Sequence, residues 1–293
     1  LKVGEKVPLY ELMKGLMIVS GNDASIAIAK HISKDEKTFV ERMNAKAKEI
    51  GMINTSFVNP NGLPIYDLQN PKALPKENIS TARDIAKLGK YMFDNYEKEV
   101  VAITDMQTYS YPERNFQKNN TNALLGIIPA VDGIKTGYTG NAGYCLAFSM
   151  VVDKDKDNEI RHRMIGVVLG ANHKEKRTSA SLSILRYGKE NFSTKRVMEK
   201  DQLIGKKYIK GLEELEVTLK SEDELYATLK NTENLKSQIT LKELKYPVKK
   251  GDTIGVIKYF TETGQVIGSV DIISANNVDN ISFITKIKMI FTD

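Results

Sequence analysis

The stretch DGIKTGYTGNAGYC, residues 132 to 145, sets a lysine and a threonine among glycines, in a short turn-like segment between two apolar runs. Glycine lets a ligand approach the backbone, and Lys135 and Thr136 offer a charge and a hydroxyl beside Gly137. Two interpretations compete: a polar turn that links two strands, or one wall of a site that binds an anion. A phosphate cradle is disfavoured, because a cradle leads into a helix whereas the following YCLAFSMVV is typical of a strand.

The rest of the chain predicts two domains. At 293 residues it is long for a single hydrophobic core. Helix-like and strand-like segments alternate over the first two thirds, which indicates an α/β domain. Beyond it, short and often alternating segments such as LEVTLK and TIGVIKYF indicate a small all-β module. We place the domains at residues 1–194 and 195–293, with the boundary near STKRVMEKD.

Caps and composition predict the local elements. The segment DEKTFVERMNAKAKEIG has a helical apolar face and ends at Gly51, a natural residue to follow a helix. STARDIAKLGKYMF begins with Thr81 and Asp84, a pair typical of a helix start, and NTSFVNPNGLP between these two segments has the composition of a loop. YCLAFSMVV and RMIGVVLG predict two strands joined by a charged connection, to which we assign Arg161 and Arg163.

Composition narrows the classes of ligand. The net charge is +6, but the lysines are scattered among acids and no nucleic-acid-binding motif occurs, so nucleic acid is not an expected partner. The single cysteine, Cys145, lies in an apolar run and is expected to be a small buried hydrophobe. His31, His162 and His173 are scattered, so neither a zinc cluster nor a histidine catalyst is predicted.

A second motif, SGND, places Ser20 and Asn22 two residues apart just before the helix-like ASIAIAKHI. Taken alone, it is best interpreted as a helix cap formed by Ser20 and Asp23. Another Ser-x-Asn, Ser274 to Asn276, shows how easily the pattern arises. The motif acquires meaning only together with the lysine and threonine of the quoted stretch.

The combination and order of the motifs carry more information than either motif does. Ser-x-x-Lys, a Ser-Asp-Asn type triplet and Lys-Thr-Gly together mark serine β-lactamases and penicillin-binding proteins, and the second and third occur here in that order. The segments LMKGLMIVSGNDASIAIAKHI, FVERMNAKAKEIGMINTSFVNPNGL, STARDIAKL and VDGIKTGYTGNAGYCLAFS resemble the D-alanyl-D-alanine carboxypeptidases, low-molecular-mass penicillin-binding proteins of peptidase family S11 type. The resemblance covers residues from about 9 to 192, and the β-rich tail resembles that family's second domain. It implies an α/β (α+β) serine β-lactamase/transpeptidase-like domain, lacking its N-terminal segment, followed by a small all-β domain.

The resemblance also implies a mechanism. In that family a serine attacks the carbonyl between the two terminal D-alanines of a peptidoglycan stem peptide, and water hydrolyses the acyl-enzyme. Ser20 matches the proton-relay hydroxyl, and Asn22 matches the residue that binds the substrate's backbone amide. Lys135, Thr136 and Gly137 match the edge strand that holds the terminal carboxylate.

Further expectations follow from the same resemblance. By its spacing Arg177 matches an arginine that helps to bind the carboxylate, although a surface arginine that caps a helix explains it nearly as well. The directions of Tyr138 and Asn141 are left open. β-Lactam antibiotics are expected ligands, and neither a metal nor an organic cofactor is expected. The family works outside the cytoplasmic membrane, tethered by a C-terminal amphipathic segment that these 293 residues do not contain.

The first motif of the set is the exception. No serine of the sequence is followed three residues later by lysine: Ser183 and Ser193, for example, meet Arg186 and Arg196. In the family this motif precedes Ser-x-Asn, so we expect the acylating serine to lie in a segment upstream of Leu1. The alternatives are a non-catalytic peptidoglycan-binding protein or inactive fragment without a nucleophile, and a β-lactamase. The last is disfavoured, because a β-lactamase does not need the β-rich tail.

Overall fold

Two units, each with its own hydrophobic core, make up the computed structural model. The first contains Leu1–Val152 and His162–Gly188, and the second contains Asp153–Arg161 and the chain from Lys189 onward. The structure describes residues 1–155, 159–209, 212–244, 247–278 and 287.

Within the described ranges, the first unit contains four α-helices and a fifth begins in it, and two of the five start at a side-chain cap. Their bounds are Leu9–Val19 (α1), Asn22–Ser33 (α2), Glu36–Glu49 (α3), Ala82–Thr104 (α4) and Lys174–Asn191 (α5). The Asp35 side chain accepts a hydrogen bond from the Thr38 N–H and caps α3. The Thr81 side chain accepts one from the Asp84 N–H and caps α4, at the pair that the sequence predicted. Helix α4 runs on past the predicted segment and is kinked at Tyr96, where φ is −143° and ψ is 32°. No helix among the described residues has the length and apolar character needed to cross a bilayer.

A three-stranded antiparallel sheet lies in the first unit, in the order β3-β4-β5. Its strands are Val131–Thr139 (β3), Gly143–Val152 (β4) and His162–Ala171 (β5). A separate hairpin of Thr108–Tyr111 (β1) and Phe116–Asn119 (β2) lies in the same unit. The segment 132–145 is therefore mostly strand, and only residues 140–142 form the turn. The turn-like character read from the residues was therefore wrong for Lys135, Thr136 and Gly137, which lie on an outer strand as the resemblance implied.

The core of the first unit forms between the sheet and α5. Leu146 and Phe148 on β4 pack with Val168 on β5 and Leu185 on α5. Gly166 makes room for the Phe148 ring, since a Cβ atom at this glycine would come within 2.1 Å of Phe148 Cζ. These contacts fix β3 through its pairing with β4.

The second unit is built of antiparallel strands. A two-stranded pair joins Phe192–Met198 (β6) to Leu225–Lys230 (β9). A five-stranded sheet is formed by Leu203–Ile209 (β7), Leu212–Ser221 (β8), Leu235–Leu241 (β10), Thr253–Thr261 (β11) and Val266–Ser274 (β12). The order of its strands is β10-β11-β12-β8-β7. Val217, Ile257 and Ile272 lie at the centre of its core. A small all-β module is what the short alternating segments predicted.

Candidate active site

Ser20 occupies the junction between α1 and α2 in an unusual backbone conformation. Its φ of 63° and ψ of 42° lie in the left-handed region, which non-glycine residues rarely adopt. The Ser20 N–H donates to Leu16 O at 3.1 Å and the Gly21 N–H donates to Gly15 O at 2.9 Å, so these two residues close α1. The serine side chain is thereby turned out of both helices and lines a cleft.

The interpretation of SGND as a cap of α2 was wrong. The residue at the N-cap of α2 is Gly21, which has no side chain to accept a hydrogen bond, and Asp23 accepts from the Ala24 N–H next to it. Asn22, the first residue of α2, lines the same cleft as Ser20. Serine at a helix end and serine at a helix start are not distinguished by residue type alone, which explains the error.

Lys135 links the edge of the sheet to this junction. Its Nζ donates to Ser20 Oγ and, at 2.7 Å, to the carbonyl oxygen of Thr136. Burial, helped by the nearby charge of Arg177, lowers the pKa of Lys135 to about 8. An ammonium with a lowered pKa, in contact with a hydroxyl, is suited to proton transfer and to binding an anion.

Thr136 and Arg177 meet at Thr121. The Thr136 hydroxyl donates to Thr121 Oγ1 at 2.7 Å, and Arg177 Nη2 donates to Thr121 O at 3.4 Å. Arg177 lies in the first turn of α5, and it is only 6% exposed. Arg177 is therefore buried at the cleft instead of lying on the surface, and its role in binding the carboxylate stays a prediction.

The guanidinium of Arg177 is not fully satisfied. Its Nε is buried and has no hydrogen-bond partner among the residues that the structure describes. Burial lowers the pKa of Arg177, an effect that nearby Cys145 and Tyr144 oppose. A buried donor without a partner costs free energy, and an anionic ligand that accepts a hydrogen bond from it would remove this cost.

These side chains surround one cleft of about 1290 Å³. One wall is β3, from Lys135 to Thr139, and another is the junction that carries Ser20 and Asn22. The loop after α3 and the first turns of α5 complete it. All six predicted site residues line this cleft: Ser20, Asn22, Lys135, Thr136 and Gly137 from the motifs, and Arg177 from its spacing.

The loop after α3 is held in place by hydrogen bonds to side chains. Asn44 donates to Phe57 O at 2.9 Å and accepts from the Phe57 N–H at 2.8 Å. Asp84, which is 1% exposed, accepts from the Asn54 N–H and the Thr55 hydroxyl. Burial works against the charge of Asp84, but these hydrogen bonds outweigh it and lower its pKa. The loop is therefore a fixed wall of the cleft.

Strand β3 is braced just before Lys135. The buried carboxylate of Asp132 accepts from Arg163 Nη1 and from the Ser149 hydroxyl, both at 2.6 Å. The Thr104 hydroxyl donates to the Asp132 carbonyl oxygen at 2.6 Å, and Arg163 Nη2 reaches Glu97 at 2.7 Å. Arg163 was assigned to the connection between two strands, and that assignment was wrong: it lies on β5 and joins the sheet to α4.

The prediction that Cys145 is a small buried hydrophobe was wrong. The cysteine is partly exposed and lines the cleft instead of being buried. It lies opposite Gly137 in the pairing of β3 with β4, and glycine has no side chain to cover it. The pairing of two strands decides this exposure, so the apolar run around the cysteine could not reveal it.

The sequence did not determine where the side chains of Tyr138 and Asn141 point, and it did not identify two residues that line the cleft. Tyr138 lines the cleft, with its ring centroid 4.4 Å from that of Tyr144, whereas Asn141 donates to Glu77 at 2.8 Å. Thr121 and Tyr144 also line the cleft but belong to no short motif.

The second Ser-x-Asn is structural. The Ser274 hydroxyl donates to Asn276 O at 2.7 Å, and the Asn276 side chain bonds the backbone of Thr218 and Glu216. This second motif therefore satisfies backbone groups of β8 and of the residues that follow β12.

Comparison with known sequences finds two families along the chain. A family described as D-alanyl-D-alanine carboxypeptidase matches residues 1–173, and one described as penicillin-binding protein 5, C-terminal domain, matches residues 192–280. D-alanyl-D-alanine carboxypeptidase DacF of Bacillus subtilis is 31% identical over 299 residues, which cover 100% of this chain and 72% of that protein. D-alanyl-D-alanine carboxypeptidase DacC of Escherichia coli is 32% identical over 291 residues, covering 98% of this chain and 68% of that protein.

Solved structures agree with the sequences. Penicillin binding protein 5 from Haemophilus influenzae superposes with a TM-score of 0.71 at 30% identity, covering 96% of this chain and 77% of that one. Penicillin-Binding Protein D2 from Listeria monocytogenes, in its ampicillin-bound form, gives a TM-score of 0.51 at 28% identity, covering 61% and 66%. The predicted fold class, a β-lactamase/transpeptidase-like unit followed by a small all-β unit, is confirmed.

Proposed function

The chain belongs to the D-alanyl-D-alanine carboxypeptidases, as its motifs predicted, and from this premise we propose that the cleft binds the D-Ala-D-Ala end of a peptidoglycan stem peptide. The family consists of serine-type enzymes that remove the terminal D-alanine through an acyl-enzyme. The observation that carries the proposal is the convergence of Lys135, Thr136 and Arg177 on one cleft beside an exposed glycine.

The terminal carboxylate of the peptide binds where the cations converge. Arg177 offers a buried Nε–H without a partner among the described residues, and Lys135 and Thr136 offer an ammonium and a hydroxyl. The exposed Gly137 lets the peptide backbone lie along β3. A Cβ atom at this position would stand 3.8 Å from Cys145 Cβ, so glycine is not required by the protein's own packing.

Ser20 and Asn22 act on the scissile end. Because Lys135 donates to Ser20 Oγ, the serine's own proton can point to the leaving nitrogen, and Lys135 can replace it. The lowered pKa of Lys135, about 8, brings its proton within reach of such a transfer near neutral pH. Asn22, on the same wall, supplies an amide that can bind the peptide backbone.

β-Lactams are proposed as ligands of the same cleft. They carry an amide and a carboxylate at a spacing like that of the peptide end, and the related Listeria protein is known in cefotaxime-bound and ampicillin-bound forms. Peptidoglycan lies outside the cytoplasmic membrane, where the family acts. We place this chain there too, either secreted or at the outer face of that membrane with peripheral contact.

Calorimetric titration with an acylated D-Ala-D-Ala peptide tests the carboxylate site. Lys135→Ala and Arg177→Gln should each weaken binding by about tenfold or more, since a charge-assisted hydrogen bond is lost. Gly137→Ala should weaken it with the same unfolding midpoint. Lys118→Ala, which removes an equal charge from exposed β2, is the matched control and should bind like the parent. Equal affinity for all four variants would overturn the proposal.

Intact-mass spectrometry of the protein with penicillin tests the chemistry. A stable adduct, with release of D-alanine from the peptide, supports the carboxypeptidase, and digestion of the adduct identifies the acylated serine. Since no Ser-x-x-Lys occurs among the 293 residues, peptide binding without an adduct would favour the non-catalytic binding protein instead. Rapid turnover of penicillin would favour a β-lactamase.

A further inference from the structure

Cys145 is the one cysteine of the sequence, and its thiol lies at the cleft. It is partly exposed in β4, directly after the turn at residues 140–142. Within the described part of the chain, its Sγ makes two weak contacts, to Ala142 O at 3.4 Å and Gly143 O at 3.6 Å. Across the strand pair stands Gly137, which leaves the sulfur side open to a ligand.

A second feature of the same cleft points to an anion next to this sulfur. Arg177 is only 6% exposed, and its Nε has no partner among the described residues. Cys145 is near enough for its charged form to raise the pKa of Arg177 against the effect of burial. Lys135 lines the cleft as well. The thiol therefore lies in a part of the cleft where two cations attract a negative group. Such a group can also accept the hydrogen bond that Arg177 does not otherwise make.

We propose that Cys145 is a modification site for small disulfides that carry a carboxylate. Arg177 and Lys135 hold the carboxylate while the Cys145 thiolate attacks the nearer sulfur of the disulfide. One Sγ–S bond forms as the S–S bond of the reagent breaks. The departing thiolate takes up the proton that Cys145 gave up, so the products are one mixed disulfide and one thiol. The selectivity comes from attraction of the reagent to the two cations.

The modification also closes the cleft. This consequence rests on the proposed function: the tethered carboxylate occupies the position assigned to the terminal carboxylate of the peptide. Peptide binding is then lost when the mixed disulfide forms and returns when a reductant removes it. Cys145 thereby makes the cleft sensitive to the redox state of its surroundings, which is relevant to a protein that works outside the cytoplasm.

A matched pair of reagents tests the capture step. Dithiodipropionate and cystamine have the same chain length and opposite charge, and intact-mass spectrometry follows the rate at which each adds to the folded protein. We expect the anionic reagent to react about tenfold faster than the cationic one. In the urea-unfolded chain, which keeps the thiol but not the cleft, the ratio should be near one. Cys145→Ser should gain no mass.

Arg177→Gln distinguishes two causes of fast modification: the positive charge of Arg177 and the exposure of the Cys145 sulfur. In this variant the ratio of the two rates should fall toward that of the unfolded chain, because only Lys135 remains, while Lys118→Ala should keep the ratio of the parent. Circular dichroism confirms that both variants are folded, and Lys135→Ala provides a second test if Arg177→Gln is not. The proposal would be overturned if the ratio of the two reaction rates were the same in folded and unfolded protein. It would also be overturned if Cys145 did not react in the folded protein.

Peptide affinity before and after modification tests the consequence. It should fall at least about tenfold in the mixed disulfide and recover with dithiothreitol, whereas Cys145→Ser should bind peptide equally before and after exposure to the reagent. Selective modification with unchanged peptide affinity would refute the closing of the cleft. Failure of the unmodified protein to bind peptide would refute the proposed function alone, because the rate ratios do not depend on it.

Discussion

Three side chains that lie far apart in the sequence, those of Ser20, Lys135 and Arg177, interact in the cleft. Lys135 donates to Ser20, and the charge of Arg177 helps burial to hold the pKa of Lys135 at about 8 instead of the ordinary 10.5. The ammonium is therefore charged below pH 8 and neutral above it. Keeping it charged in the folded state costs stability, and this cost fades as pH rises from about 8 toward the unfolded value.

The affinity for an anionic peptide should follow the titration of Lys135. Binding of the D-Ala-D-Ala peptide is expected to be constant below about pH 7 and to weaken by about tenfold as pH rises through 8, because the cation is lost. Calorimetric titrations across this range measure it. Lys135→Arg is the control, since guanidinium stays charged throughout and its profile should be flat. A falling profile in that variant would assign the pH dependence to another group.

The motifs alone grouped Ser20, Asn22 and residues 135–137 into one site, because their order along the chain is characteristic. The roles given to them stay predictions. The place of Thr121 in the cleft and the exposure of Cys145 could not be predicted from the sequence. Thr121 contacts Thr136 through the tertiary fold, and the exposure of Cys145 depends on its pairing with Gly137.

At the scale of the elements, the position of β3 depends on one buried ion pair. The carboxylate of Asp132 on β3 accepts hydrogen bonds from Arg163 on β5 and Ser149 on β4. Its backbone carbonyl oxygen accepts one from the Thr104 hydroxyl on α4. Burial works against the charge of Arg163, but hydrogen bonds to Asp132 and Glu97 outweigh it and raise its pKa. The strand that carries Lys135 is thus tied by side chains to the other two strands of its sheet and to a helix.

Arg163→Met should lower the free energy of unfolding by about 3 kcal/mol, because it leaves the Asp132 carboxylate buried without its partner. Urea denaturation measures the change. Adding Asp132→Asn should recover part of the loss, as expected for coupled residues. The matched control is Arg161→Met, which removes an exposed arginine 3.7 Å from Asp153 and should change stability by less than about 0.5 kcal/mol. Equal losses in the two arginine variants would contradict the role of the pair.

Helix starts were predictable from sequence where a side chain forms the cap, as at Thr81 and Asp35. The junction at Ser20 was not, because the signal there is a backbone angle and not a residue type. The kink at Tyr96 had no signal either, since neither proline nor glycine stands at it.

At the scale of the whole molecule, each unit has a core of its own. Phe148 is 1% exposed in the first, and Ile272 is fully buried in the second. The boundary predicted between residues 194 and 195 stays a prediction, and β6, Phe192–Met198, spans it. Composition could indicate two units but not the exact residue where the chain passes from one to the other.

Ile272→Ala should destabilise the second unit by about 3 kcal/mol through the cavity it leaves, without changing peptide affinity at the cleft. Phe148→Ala, the matched change in the first core, should lower both stability and affinity. Urea denaturation and peptide titration in the absence of urea measure the two effects. Weaker peptide binding by folded Ile272→Ala would show that the second unit takes part in the site.

The backbone of Ser20 has a consequence for sequence design. Its φ of 63° is an angle for which glycine is the natural choice, and a serine there costs on the order of 1 kcal/mol. A procedure that chooses residues by how well they fit the backbone will replace this serine, and with it the hydroxyl that Lys135 contacts. Poor local fit at a position therefore marks a residue to be kept fixed when the protein is redesigned for stability.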